Sequence, residues 1–251
     1  MSPIVEIKNL SVRYGATTAL QNISCQIEQG DFVGLVGPNG GGKTTLAKTI
    51  LGLLPLYEGK IALFGKDSAN FGEWQKIGYL PQKHTGINPL FPANVGEVVS
   101  LGLLSVKKRP KNITTADWQE IDALLKDIGI FDLKSKLISE LSGGQQQKVM
   151  LARALVSKPK VLILDEPSTA LDPNSREQFF ARLEKLNKEA KTTIILITHD
   201  TGYIGQYANK LLYVDRKLVF FGNINEFCEK GEDIASCFEK KDGHIIWHQH
   251  N

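Results

Sequence analysis

Long apolar runs are missing from this 251-residue sequence. No stretch approaches the roughly 18 consecutive apolar residues that a membrane-spanning helix needs. The first residues, Met1-Ser2-Pro3-Ile4-Val5-Glu6, also lack the basic and apolar regions of a secretory signal peptide. We therefore expect the chain to stay in the cytoplasm. A role in membrane transport would require another chain to supply the spanning helices.

The chain also has few cysteines and little excess of charge of either sign. The three cysteines are Cys25, Cys228 and Cys237, an odd number without a disulfide framework, which favours a reducing compartment. The 30 basic and 27 acidic residues leave a net charge of +3, and no basic run is longer than residues 107–109. This charge makes no case for binding nucleic acid or an anionic membrane surface.

Short apolar runs and segments of helical periodicity alternate along the chain. The first thirty residues predict β structure, and residues 90–140 predict a helical insert with Thr114 as a helix cap. Strands that alternate with helices imply a mainly parallel sheet covered on both faces. We predict helices over 43–53, 145–156 and 173–189 and from 200, strands over 60–64, 77–80, 160–164 and 193–198, and a hairpin of 211–214 with 218–221.

A glycine-rich loop follows a predicted strand and precedes a predicted helix. Its pattern, Gly37-x-x-x-x-Gly42-Lys43-Thr44, is that of a phosphate-binding loop. The glycines let backbone N–H groups turn towards phosphate oxygens, and the helix N-terminus adds partial positive charge. We expect Lys43 to reach the outer phosphates of a nucleotide and the Thr44 hydroxyl to bind Mg²⁺. The candidate nucleotide-binding residues here are Gly37, Pro38, Asn39, Gly40, Gly41, Gly42, Lys43, Thr44 and Thr45.

Two further motifs follow in order. Residues 141–145 read Leu-Ser-Gly-Gly-Gln, and an apolar strand then ends in Asp165 and Glu166. With the phosphate loop upstream, the chain resembles the ATP-binding subunit of an ABC transporter over nearly its whole length. The resemblance implies a P-loop NTPase (RecA-like) α/β core with a mainly parallel sheet, an antiparallel β subdomain and an α-helical signature subdomain. It also implies a single ABC-type domain over residues 1–251, with the helical subdomain at about 84–143 and a C-terminal tail at about 232–251.

The resemblance assigns roles around ATP. It implies that Asp165 organises Mg²⁺, that Glu166 polarises the attacking water and that His199 contacts the γ-phosphate. Gln82 matches the glutamine that approaches the metal and the attacking water, and Tyr14 matches an aromatic residue that stacks on adenine. Among these residues and the loop, Thr44, Gln82 and Asp165 are the expected metal neighbours.

The signature segment implies a dimer. In the family, this segment closes over the ATP that the phosphate loop of the opposite subunit holds, so two chains sandwich two ATP molecules head to tail. Residues 168–172 match the D-loop, which crosses this interface. Ser142, Gly143, Gly144 and Gln145 are therefore expected to bind nucleotide only across the dimer.

Cargo and partners rest on resemblance as well. Within the family the chain looks most like the ATPases of metal-ion importers, with zinc the first choice and manganese the second. That assignment implies a polytopic membrane permease, indirectly a periplasmic or surface metal-binding protein, and a peripheral place on the cytoplasmic face of the inner (plasma) membrane. The motifs that carry it are residues 78–83, 91–95, 141–148 and 243–250.

One alternative function stays open at this point. The chain could be a soluble ABC ATPase in metal-cluster assembly, whereas a nucleotide-binding regulator without turnover is disfavoured by Glu166 and His199. The histidine-bearing tail is interpreted first as a solvated segment, because no standard zinc spacing is met. The potential metal ligands are Cys228, just before the tail, and Cys237, His244, His248 and His250 within it.

Overall fold

The computed structural model describes residues 3–82, 92–107, 111–198 and 201–229. The chain divides into two compact units, one formed by Met1–Gly72 with Phe180–Asn251 and the other by Glu73–Phe179. The strands are β1 (Val5–Tyr14), β2 (Thr17–Ile27), β3 (Phe32–Val36), β4 (Glu58–Leu63), β5 (Lys66–Asp67), β6 (Ile77–Leu80), β7 (Val161–Asp165), β8 (Thr193–Ile197), β9 (Lys210–Asp215) and β10 (Lys217–Asn223). The α-helices are α1 (Lys43–Ile50), α2 (Val95–Ser100), α3 (Thr115–Ile128), α4 (Gly143–Leu155), α5 (Pro173–Ala190), α6 (Thr201–Tyr207) and α7 (Ile224–Glu229).

The first unit begins with an antiparallel sheet in the order β2-β1-β4-β5. Its inward residues follow the period of two that a half-buried strand requires, and Ile23, Cys25 and Ile27 of β2 are buried. Burial raises the pKa of the Cys25 thiol to about 12, so this cysteine is a neutral core residue. The predicted antiparallel β subdomain is thus confirmed.

The same unit contains parallel pairing. Strand β3 pairs in parallel with β8 and with β9, and β10 runs antiparallel to β9. All five residues of β3 and of β8 are buried, as expected for parallel strands covered on both faces. The predicted hairpin near residues 211–221 is β9 and β10, and the predicted α/β class is confirmed.

The second unit contains the parallel pair β6 and β7, in which Leu80 lies opposite Leu164. Glycine at position 78 is required here, because a Cβ would lie 2.6 Å from the carbonyl oxygen of Ala154 in helix α4. Helix α3 starts at the predicted cap: the Thr114 hydroxyl accepts from the backbone N–H of Asp117, and the Asp117 carboxylate accepts from the backbone N–H of Thr114. The predicted helical insert therefore contains α2 and α3.

Several element boundaries differ from the sequence-based ones. Helix α1 was predicted to reach Leu53 but ends at Ile50, because Gly52 has a φ of +67° and stops the helix before Pro55. Strand β5 and helix α7 were not predicted, since two residues and six residues are too short to give a clear period. Within the described ranges, no helix has both the length and the apolar composition to cross a membrane.

Candidate active site

The glycine-rich loop connects β3 to α1, and its shape depends on glycine at two positions. Gly37 has a φ of +146°, and a Cβ there would lie 2.0 Å from the carbonyl oxygen of Val214. Gly42 has a φ of +96°, and a Cβ there would lie 2.4 Å from Cδ2 of Leu20. No L-residue with a side chain fits either position without moving its neighbours. The loop is therefore a close-packed cradle rather than an ordinary exposed turn.

Lys43 lies inside this cradle. The side chain is buried, and its Nζ donates to the carbonyl oxygens of Gly37 and Pro38, both at 2.9 Å. A buried ammonium held among backbone groups at a helix N-terminus is a strong site for an anion. The geometry is suited to the outer phosphates of a nucleotide.

The first turn of α1 adds hydroxyl groups. Thr44 and Thr45 are the second and third residues of α1, after Lys43. The hydroxyl of Tyr14, a residue that is 50% exposed, lies 3.5 Å from Oγ1 of Thr45. The structure thus places the candidate adenine-stacking residue beside the start of α1, within the same unit as the phosphate loop.

The remaining loop residues differ in exposure. Asn39 and Gly40 are exposed, whereas Gly41 is buried. The Gly41 carbonyl accepts from the backbone N–H of Arg216 at 2.8 Å, and the Arg216 carbonyl accepts from the N–H of Gln21 at 2.7 Å. The turn of the β9–β10 hairpin therefore links the phosphate loop to β2. Sequence reasoning missed this support, because main-chain contacts across nearly two hundred residues leave no local signal.

In the second unit, the acidic pair ends β7. Asp165 and Glu166 are both buried, with 1% and 9% of their surface exposed. Glu166 has a φ of +52°, a left-handed conformation that side chains rarely adopt. Burial, and then the charge of Asp165, raise the pKa of Tyr79 to about 12. The Asp165 carboxylate therefore interacts electrostatically with Tyr79 on the neighbouring strand β6.

Gln82 follows β6 by two residues and is exposed. Since β6 and β7 run in parallel, their carboxyl ends lie at the same edge. Gln82 and the acidic pair consequently follow the same edge of the β6–β7 pair in the second unit. His199 lies outside the described residues; the described strand before it, β8, ends at Ile197.

The signature segment forms the start of α4. Ser142 is the N-cap: its hydroxyl accepts from the Gln145 N–H at 3.4 Å, and Oε1 of Gln145 accepts from the Ser142 N–H at 3.0 Å. Ser142 and Gly143 are exposed. The start of α4 is therefore accessible at these two residues, and Ser142 carries a hydroxyl there.

Each unit offers an oxygen donor of the kind that Mg²⁺ prefers. Thr44 in the first unit carries a hydroxyl, and Asp165 in the second unit carries a buried carboxylate. Across the described part of the chain, no group of three or more His, Cys, Asp or Glu residues could hold a metal ion. A cation that keeps several waters and takes substrate phosphates as ligands needs no such cluster.

Known proteins with similar sequences are ATP-binding subunits of transport systems. A family model described as "ABC transporter" matches residues 20–169. The zinc uptake system ATP-binding protein ZurA of Listeria innocua is 43% identical over 227 residues, which cover 90% of this chain and 88% of that protein. The manganese transport system ATP-binding protein MntB of Bacillus subtilis is 37% identical over 221 residues, which cover 87% and 86%.

Solved structures agree on the fold. A metal-chelate type ABC transporter in an inward-facing conformation matches with a TM-score of 0.79 and 26% identity, over 94% of this chain and 89% of that one. A dimeric bacterial ABC transporter cassette also has a TM-score of 0.79, with 27% identity over 87% and 98%. The fold and the phosphate loop define a P-loop NTPase. The chain belongs to the ABC transporter family, and it is an ATPase of that family that binds adenine nucleotide.

Proposed function

We propose that this chain is the ATP-hydrolysing subunit of an importer of divalent metal ions, with zinc as the first cargo and manganese as the second. The observation that carries the proposal is the 43% identity to a zinc uptake ATPase over 90% of the chain. The Bacillus subtilis zinc protein ZnuC, 37% identical over 213 residues, supports the same order. The 37% identity to a manganese transport ATP-binding protein supports manganese as the second candidate cargo.

The phosphate loop binds the triphosphate in this proposal. Backbone N–H groups of residues 37–42 and the Lys43 ammonium neutralise the outer phosphates, and Tyr14 packs against adenine. Thr44, Asp165 and Gln82 would hold a magnesium ion, which would supply positive charge to neutralise the outer phosphates. The pre-formed position of Lys43 supports the assignment, because the ammonium is already buried inside the loop.

Hydrolysis then depends on positioning. Glu166 orients and polarises the water that attacks the γ-phosphate, Gln82 approaches the same water, and His199 contacts the γ-phosphate. Phosphoryl transfer has a loose transition state, so catalysis consists mainly of placing these groups and neutralising charge. Burial of Glu166 supports this role, since a carboxylate screened from bulk water holds its water more firmly.

The second nucleotide contact comes from another copy. Ser142, Gly143, Gly144 and Gln145 present a hydroxyl and amides that a single chain with one phosphate loop does not need. We assign them to the ATP of a partner subunit in a head-to-tail homodimer. The dimeric cassette among the structural relatives supports this arrangement. A polytopic permease completes the transporter, with a periplasmic or surface metal-binding protein acting indirectly, and this subunit peripheral on the cytoplasmic face of the membrane.

The cargo is tested by transport. The chain is purified from its own cells with the membrane protein that accompanies it, and the complex is reconstituted in liposomes. We expect ATP-dependent transport of radioactive zinc towards the side that holds this subunit, and none with a Lys43→Ala complex. If the complex transported manganese but not zinc, manganese would be the cargo. Failure to co-purify with any membrane protein would instead favour the metal-cluster assembly ATPase.

A further inference from the structure

One face of helix α4 lies against the segment that follows the acidic pair. A Cβ on Gly144 would be 3.1 Å from the carbonyl oxygen of Ala170, and a Cβ on Gly143 would be 3.8 Å from the Cβ of Ala170. Gln147 and Lys148, three and four residues after Gly144, share this face. The start of the signature helix therefore packs directly on residues 166–172, the Glu166 segment, within one chain.

Gln147 makes the polar contact of this face. Its side chain is 5% exposed, and its Nε2 donates to the carbonyl oxygen of Pro167. Gln147 is thus a buried amide joined to the residue next to Glu166. Loss of this donor would leave a buried carbonyl without its hydrogen bond, which is costly inside a protein.

The end of the Glu166 segment is held by its own cap. The Asp172 carboxylate accepts from the Ser175 N–H at 3.0 Å and so caps α5. Hydrogen bonding to Ser175, and to a smaller degree the charge of Lys148, hold the pKa of Asp172 below its ordinary value. Contacts from α4 therefore reach the Glu166 segment at Pro167 and at Ala170.

The backbone of Glu166 needs such support. Its φ of +52° is disfavoured for a residue with a side chain. The next residue is Pro167, and a residue before proline prefers an extended conformation. Both preferences oppose the observed conformation, so surrounding contacts must maintain it. One such contact is internal, since the Thr169 hydroxyl donates to the Glu166 carbonyl at 3.1 Å. Another is the bond from Gln147 to Pro167.

We propose that Gln147 is a positioning residue for ATP hydrolysis. By holding the Pro167 carbonyl, it fixes the left-handed backbone at Glu166 and so aims the carboxylate at the attacking water. A hydrogen bond within each chain consequently fixes the position of the water-orienting glutamate relative to the signature helix. This inference rests on the role proposed for Glu166.

Gln147→Met tests the bond, because methionine has a similar length but no donor. We expect kcat for ATP hydrolysis to fall about tenfold or more, while the Kd for ATP of the isolated subunit stays within about twofold, since the phosphate loop is unchanged. Gln147→Asn, which keeps an amide too short to reach Pro167, should behave alike and serves if the methionine variant does not fold. Gln146→Met is the matched control: Gln146 donates to Ile138 and Leu141 instead, and its kcat should remain near that of the unmodified chain.

A double-mutant cycle separates positioning from a general loss of structure. If Gln147 acts through Glu166, Gln147→Met should not further lower the residual turnover of Glu166→Gln. The inference would be wrong if Gln147→Met lowered kcat equally in the unmodified and in the Glu166→Gln background, or if it left kcat unchanged while Glu166→Gln was inactive. Either result would leave the proposed role of Glu166 intact. Full turnover by Glu166→Gln would overturn the proposed role of Glu166, and the inference with it.

Discussion

Gly37 packs so tightly against Val214 that a Cβ on the glycine would lie 2.0 Å from the valine carbonyl oxygen. The contact joins the phosphate loop to β9, about 180 residues later in the chain. The Arg216 N–H, which donates to the Gly41 carbonyl at 2.8 Å, holds the same loop from the hairpin turn. The shape of the nucleotide cradle is therefore fixed partly by a strand whose sequence carries no nucleotide motif.

Gly37→Ala should accordingly damage both fold and binding. The added methyl group forces β9 and the loop apart, which we expect to lower the free energy of unfolding by about 2 kcal/mol or more and to weaken ATP binding. Chemical denaturation and calorimetric titration measure the two effects. Gly65→Ala is the control, because Gly65 also has a positive φ, +76°, but a Cβ there would meet nothing within 4 Å. Equal destabilisation by the two substitutions would show that backbone strain, not crowding against Val214, decides the loop.

Lys43→Ala should weaken ATP binding roughly 10- to 100-fold, the value of losing charge-assisted hydrogen bonds to phosphate. The Nζ of Lys43 is already in the loop, bonded to Gly37 and Pro38. Fluorescence titration with a labelled ATP analogue measures the affinity, and circular dichroism checks that the variant is folded. Retained affinity in a folded variant would contradict the assignment of this loop.

Glu166→Gln should bind ATP with little change yet hardly turn it over, because an amide cannot polarise the attacking water as a carboxylate does. The uncleaved nucleotide should then hold two chains together. Light scattering at saturating Mg-ATP should therefore report a dimer. A monomer under these conditions would count against the shared-site model.

Ser142→Asp separates the two roles of the serine. Aspartate is as good an N-cap as serine, so α4 should keep its stability, whereas a carboxylate would repel the γ-phosphate of the partner's ATP. We expect turnover to be lost while the isolated subunit still binds ATP. Loss of binding by the isolated subunit would mean that the signature acts on its own nucleotide.

Asp117 provides a test of pH dependence. Hydrogen bonds from Lys107 and then from Thr114 lower the pKa of Asp117 from 3.8 to about 2. Because the pKa in the folded state is depressed, this stabilisation is present above about pH 4 and is lost as the pH falls towards 2. Asp117→Asn should therefore be less stable than the unmodified chain at neutral pH, and the difference should narrow over that range. Urea unfolding at several pH values measures the free energy of unfolding of both proteins. A difference that stays constant with pH would show that the pKa of Asp117 is not lowered in the folded state.

The local elements could be predicted because they depend on neighbours in sequence. The Thr114 cap and the β9–β10 hairpin are set by residues within a few positions of one another. The predicted end of α1 lies three residues too late. Gly52 adopts a left-handed conformation that ends the helix, and the sequence pattern does not show whether a glycine will adopt it. The site assignments at Lys43 and Ser142 also came from local patterns, and the hydrogen bonds of these residues, to Gly37 and Pro38 and to Gln145, are local as well.

The sequence alone determined the family, the order of the motifs and the residue types that handle phosphate, because those patterns are short and chemically specific. Only the tertiary structure decided how the groups are held: the Val214 carbonyl behind Gly37, and the Gln147 amide on Pro167 beside the left-handed Glu166. These contacts join residues 20 to about 180 positions apart. They depend on which backbone atoms packing brings within hydrogen-bond or van der Waals distance, and no local pattern contains that information.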